Sequence, residues 1–195
     1  MRSRQRSDEG MTLVELLISM AIFSLALSMV YTVLITVQRQ TKDSTSRADA
    51  VGDARLALQQ IDRQVRSGNV LFDPAAETLP LSMRVYTQAN GDQRCVQWQV
   101  VNGTLRTRSW SSTWQTDGSV SAWAVVAHNL VNTTSSPPFA LQGSSTAYGS
   151  RLVDITLLVK SPTAQGKPVN VTSSLSGRNT AYGYDPGICS PVPAA

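Results

Sequence analysis

The side chains able to do chemistry are few and far apart. His128 is the sole histidine among 195 residues, so no multi-histidine metal site and no histidine relay pair can be built. Cys95 and Cys189 lie too far apart for a zinc-knuckle spacing. Asp73, Glu77, Asp92, Asp117 and Asp154 are scattered, and no spacing sets two of them together for acid–base work. Neither a GxxxxGKS/T nor a GxGxxG loop occurs, which leaves nucleotide binding without support. One acid stands out by its surroundings: Glu15, flanked by Leu13, Val14, Leu16 and Leu17. In the first turn of a helix a glutamate suits the helix dipole. At the edge of a lipid core it also favours a cationic partner, because a charge at the centre of a membrane helix costs about 2.5–3.5 kcal/mol on insertion scales and an unpaired buried charge is far costlier than a hydrogen-bonded pair.

The element that positions Glu15 is a long apolar helix. From Leu16 to Val37 there is no charged residue, no glycine and no proline. At 1.5 Å per residue this run spans about 33 Å, enough for a hydrocarbon core of roughly 30 Å. The ten residues before it are polar and irregular, and Arg2, Arg4 and Arg6 favour a cytoplasmic N-terminus, although Arg39 and Lys42 beyond the run weaken the asymmetry. A secretory signal would need small residues just after the apolar run, and Val37-Gln38-Arg39-Gln40 offers none. An uncleaved anchor is the remaining alternative.

Gly10-Met11-Thr12-Leu13-Val14-Glu15 followed by an apolar helix resembles the class III leader of type IV pilins and type II secretion pseudopilins. The resemblance implies that a prepilin peptidase cuts Gly10–Met11 and that Met11 becomes an N-methylated amino terminus. Glu15 is then the fifth residue of the mature chain and an assembly residue. It implies further partners: sister pilin or pseudopilin subunits, the inner-membrane assembly platform, and lipid before assembly. The implied location is a single-pass cytoplasmic-membrane state with an extracytoplasmic head, then a surface or periplasmic filament. Within the family the layout is most similar to J-type or W-type minor subunits. The first proline is Pro74, and Ala54-Arg55-Leu56-Ala57-Leu58-Gln59-Gln60-Ile61 precedes a longish β domain. The Trp123-to-Asn132 strand and Arg178-Asn179 fit the same comparison. In an exported head, Cys95 and Cys189 form one disulfide or stay as two free thiols; closing that loop would stabilise by about 4–5 kcal/mol.

The implied fold class is α+β, a transmembrane-plus-amphipathic helix packed on an antiparallel β-sheet head. The boundaries are residues 1–10 for the leader, 11–37 for the membrane and assembly helix, 38–66 for its amphipathic continuation and 67–195 for the head. Between Gln38 and Arg66 there is no proline, and Ala54, Leu58, Ile61 and Val65 form a one-sided apolar stripe. Gly52 is a soft point, and Ser67-Gly68-Asn69 predicts the stop. Strands are predicted over Leu79–Tyr86, Cys95–Val101, Thr104–Trp110, Trp123–Leu130, Arg151–Lys160 and Pro168–Leu175. Asn102-Gly103 marks a type I′ hairpin, with Val96, Trp98 and Val100 on one face and Gln97 and Gln99 on the other. Ser111–Ser121 reads as a loop, Ser135–Pro138 as a break and Ser190–Ala195 as a frayed tail.

The formal charge of +4 falls to +3 without residues 1–10, too small and scattered to indicate nucleic-acid binding. Asn102, Asn132 and Asn170 begin glycosylation-like triplets. A loop from Trp110 to Trp114 would offer an exposed aromatic pair to a sugar, DNA or another subunit. Of three function classes, a structural filament subunit accounts for most features. An anchored adhesin or DNA receptor is the alternative, and an anchored enzyme lacks a site; no cofactor, catalytic residue or metal ligand is expected, and a DNA or surface ligand has no support.

Overall fold

The computed structural model describes residues 12–143, 151–160, 167–177, 184–185 and 187–194. Two compact units are present, Met1–Asp43 and Ser44–Ala195. One helix, α1 (Leu13–Arg66), accounts for nearly all described residues of the first unit and opens the second.

In the second unit the buried stripe of α1 is Ala50, Ala54, Ala57, Ile61 and Val65, at spacings of four, three, four and four. It shares one core with Met83, Val85, Val96, Trp98 and Leu105 and with Val153, Ile155 and Leu157. The stripe differs from the expected one at its centre: Ala57 is fully buried, whereas Leu58 is half-buried. Three alanines in a row of five leave room for the fully buried Trp98 and Met83 of the same core. The Trp98 indole donates to Gln64 Oε1 at 2.6 Å, and Thr87 Oγ1 donates to the Gln64 carbonyl at 2.9 Å. These bonds fasten the last turns of α1 to the sheet.

The helix stops at Arg66, and β1 (Gly68–Leu71) begins inside the predicted stop signal. A Cβ at Gly68 would lie 2.8 Å from Val85 Cγ2 and 2.9 Å from the Val65 carbonyl oxygen, so only glycine lets the strand leave the helix so closely. Beyond β1 and a single 3-10 turn (Pro74–Ala76) come β2 (Ser82–Thr87), β3 (Arg94–Val101) and β4 (Thr104–Trp110). Strand β2 starts three residues later than predicted, because Leu81 takes a φ of 54° and turns the chain first. The β3–β4 turn has Asn102 at φ 49° and Gly103 at φ 73°, the two positive angles that a type I′ hairpin needs. A one-turn helix, α2 (Trp114–Asp117), interrupts the Ser111–Ser121 loop.

Strand β5 (Ala124–Ala127) is shorter than predicted, since Asn129 at φ 63° redirects the chain toward the second sheet. The first sheet has the order β1-β2-β3-β4-β5. The second is β6-β7-β8, built from β6 (Phe139–Leu141), β7 (Leu152–Val159) and β8 (Val169–Ser176), and every pairing is antiparallel. Alternation in β7 works as predicted, with Val153, Ile155, Leu157 and Val159 buried. Asn132 ties the β5–β6 connection to β7: its side chain accepts from Leu158 N at 3.0 Å and donates to the Thr156 and Ser136 carbonyls.

The face of β3 away from α1 is not solvated. Gln97 and Gln99 are 0% and 3% exposed. Each accepts from an arginine opposite it on β4, Arg108 onto Gln97 Oε1 at 2.9 and 3.1 Å and Arg106 onto Gln99 Oε1 at 2.8 and 3.2 Å. Beside Gln97 lies the C-terminal segment, which is fastened rather than frayed, while the Gln99 amide donates to Pro80 O at 3.2 Å. Arg108 donates to the Pro193 and Ala194 carbonyls at 2.7 Å, Arg84 to Cys189 O at 3.0 Å, and the Trp114 indole to Pro191 O at 3.0 Å. Prolines bring carbonyls without N–H groups, and arginines bring donors only, so the two surfaces complement each other.

Candidate functional site

The site begins with a helix cap. Thr12 precedes α1, and its Oγ1 accepts from Glu15 N at 3.3 Å. Thr12-Leu13-Val14-Glu15 is therefore a T-x-x-E capping sequence, a helix-start signal present in the sequence and overlooked in reading it. The cap uses the Glu15 backbone. Among the described residues the Glu15 carboxylate has no hydrogen bond or ion pair, and the residue is exposed. Gly10 and Met11 lie outside the described residues.

From Leu13 to Val37 the helix carries sixteen exposed large apolar side chains, among them Leu13 at 76% and Met29 at 71% exposure. Burying such side chains yields about 1.5–3 kcal/mol each, so this surface left in water forfeits tens of kcal/mol. Soluble monomers rarely expose an apolar surface of this extent, and one that is exposed marks a membrane or protein contact. Four of its hydroxyl groups are satisfied within the helix: Ser19, Ser24, Thr32 and Thr36 each donate to the carbonyl four residues back, at 2.7–2.9 Å, as does Thr41 just beyond the run. Most of the hydroxyl groups of the run are thus paired within the helix before an apolar medium meets them. By length and composition α1 is able to cross a membrane.

The second unit gathers no comparable chemistry. Among the described residues no three His, Cys, Asp or Glu side chains come together to hold a metal. Cys95 on β3 and Cys189 in the C-terminal segment are joined by a disulfide across a sequence separation of 94. His128 follows the end of β5 at the surface. The expected aromatic pair is not exposed: Trp110 is fully buried against Val70, Tyr86 and the disulfide, and Trp114 packs on the same cluster. Trp123 stacks under two cations, with the guanidinium carbons of Arg106 and Arg108 at 4.2 and 4.4 Å from its ring centre. Of the glycosylation-like triplets, Asn132 is buried and uses its amide to hold the β5–β6 connection on β7. Arg178-Asn179 lies outside the described residues.

The electrostatics of this unit read as structural. Burial pushes the Glu77 carboxyl above the ordinary carboxylate range, against the opposing pull of Arg84, whose Nε lies 2.9 Å from Glu77 Oε1. Arg84 also stacks on Phe72 at 4.3 Å. Burial, aided by Arg106 nearby, lowers the Arg108 guanidinium from its usual value. Asp117 is held low by hydrogen bonds from Ser111, Ser119 N and Thr113, which close the loop around α2.

A family model described as the prokaryotic N-terminal methylation motif matches residues 5–31. No curated protein and no solved structure matches the chain. The matched residues include Gly10, Met11, the Thr12 cap, Glu15 and the exposed apolar run as far as Tyr31. That motif, an apolar helix long enough to cross a membrane and an α+β head of antiparallel sheets consistent with a pilin fold are what this chain shares with type IV pilin-like, prepilin-processed proteins.

Proposed function

We propose that this chain is a minor pilin or pseudopilin, a structural subunit that joins or initiates a type IV pilus, type II secretion or DNA-uptake filament. The observation that carries the reading is an exposed apolar helix surface headed, inside a methylation motif, by one carboxylate without a partner among the described residues. Lipid covers that surface before assembly, and sister helices cover it afterwards. Cleavage at Gly10–Met11 by a prepilin peptidase creates a cationic amine four residues from Glu15. In the filament Glu15 pairs with the Met11 amine of a neighbouring subunit and so sets the axial register; the Met11 amine of its own chain is the alternative partner. The assembly platform of the inner membrane is the expected partner at the moment of extraction.

The test compares cells with and without the prepilin peptidase. Mass spectrometry of the full chain is expected to give an N-methylated Met11 start in the first and an intact Met1 start in the second. Glu15→Val is expected to leave processing intact and to abolish co-assembly with sister subunits. A chain of the same mass in both strains, or full incorporation of Glu15→Val, refutes the reading.

A further inference from the structure

We infer that the free edge of β8 is a docking site for an extended, carboxylate-bearing segment of a different protein, which adds a fourth strand to the β6-β7-β8 sheet. The geometry starts from register. Strand β8 pairs with β7 over its whole length, from Val159↔Val169 to Leu152↔Ser176, and Gly177 N donates to Arg151 O at 3.0 Å. In an antiparallel pair, residues that exchange backbone bonds alternate with residues that do not. Continuing inward from Gly177, the odd-numbered residues 169 to 175 bond β7. The backbone N–H and C=O groups of Asn170, Thr172, Ser174 and Ser176 therefore point away from the sheet. Among the described residues none of these four makes a backbone bond outside the strand.

An unprotected edge is a template for strand addition, and proteins normally blunt such edges by shortness, bulges, charge or proline. The other outer strands follow the rule: β1 and β5 have four residues each with an irregular register, and β6 has three. Strand β8 is eight residues long, Val-Asn-Val-Thr-Ser-Ser-Leu-Ser, with no charge, no proline and no register shift. Its inward side chains Val171 and Leu175 are anchored in the core, so the strand is a firm support.

The space beside it is shaped. Val51, Arg55 and Leu58 of α1 and residues 169–173 line an open cavity of about 390 Å³. Added strands of this kind take affinity from main-chain bonds and specificity from pockets for alternate side chains. Val51 and Leu58, both half-buried, supply an apolar wall. Arg55 is exposed and, among the described residues, forms no ion pair or hydrogen bond. The complementary occupant carries an Asp or Glu at that point. The outer strands of a second copy do not provide one: β1, β5, β6 and β8 contain no carboxylate, so edge-to-edge pairing of two copies leaves Arg55 unmatched. Charge complementarity thus selects a foreign strand over self-pairing.

The test uses the full chain in the membranes of cells that make it, with Asn170 replaced by photoreactive benzoylphenylalanine and the adducts mapped by peptide mass spectrometry. The expected adduct lies on an extended, Asp- or Glu-containing segment of another protein. Thr172→Pro removes an outward N–H while sparing the β7 ladder, and it is expected to lower adduct yield by ~10-fold or more with an unchanged urea midpoint. Arg55→Glu, at an exposed helix position, is expected to lower the yield likewise. Adducts only to this chain, adducts on helical segments, no adduct, or undiminished yield in a folded variant overturns the proposal. Processing at Gly10–Met11 is read from the mass of the same samples, so a failure here is distinguishable from a failure of the filament reading.

Discussion

Two glycines of the same helix-to-strand region should respond oppositely to one added methyl group. At Gly68 the new Cβ would meet Val85 Cγ2 at 2.8 Å, Val65 O at 2.9 Å and Gln64 O at 3.3 Å. Carbon contacts settle near 3.5–4.0 Å, so something must retreat by several tenths of an ångström. Two of the three neighbours are carbonyls of the last turn of α1, which cannot rotate aside, and the third belongs to a fully buried valine. Overpacking of this kind costs about 1–3 kcal/mol. At Gly52, inside α1, nothing lies within 4 Å of the added atom, and alanine there is expected to gain about 0.8–1 kcal/mol of helix propensity. The two variants should differ by roughly 3 kcal/mol, which separates their urea midpoints by about 1–3 M. Urea unfolding of the full chain in detergent, followed by tryptophan fluorescence, reads this directly, because Trp98 and Trp110 are buried. If Gly68→Ala unfolds with or after the parent chain, close helix-to-strand packing does not limit this region and the account of Gly68 fails.

Removing the disulfide by Cys189→Ser opens a loop with a separation of 94 and is expected to cost about 4–5 kcal/mol in the chain-entropy picture, seen as a lower urea midpoint; an unchanged midpoint refutes it. Glu77 sets a pH dependence of definite sign. Its folded pKa is raised by burial, so its contribution to stability is fully present below the unfolded value and is lost as pH rises through the folded one. The difference between the parent and Glu77→Gln should therefore shift in favour of the parent on acidification from about pH 7 to pH 4, and a flat or opposite trend in urea unfolding sinks the argument.

What the sequence disclosed depended on whether the cause was local. The apolar run from Leu16 to Val37 and the hairpin at Asn102-Gly103 need no knowledge of distant residues, and both the helix and the turn stand where the residues place them. Strands β1 and β6, with four and three residues, are too short to display a period of two and went unread. The larger gap is the outer face of the first sheet. Alternation assigned Gln97 and Gln99 correctly to the face opposite Trp98, but periodicity reports only sidedness, and what covers a face comes from elsewhere in the chain. Here the cover arrives from a segment some ninety residues downstream, and hydrogen-bond inventory is the signal that would have found it. Pro191 and Pro193 lack N–H groups, so their segment offers acceptors in excess. Arg84 and Arg108, neighbours across Gln97, are donors that cannot accept. A buried guanidinium is tolerable only where its donors are filled, and the carbonyls of Cys189, Pro193 and Ala194 fill them. The polar face is buried because it is the complement of an acceptor-rich strap, not in spite of its polarity.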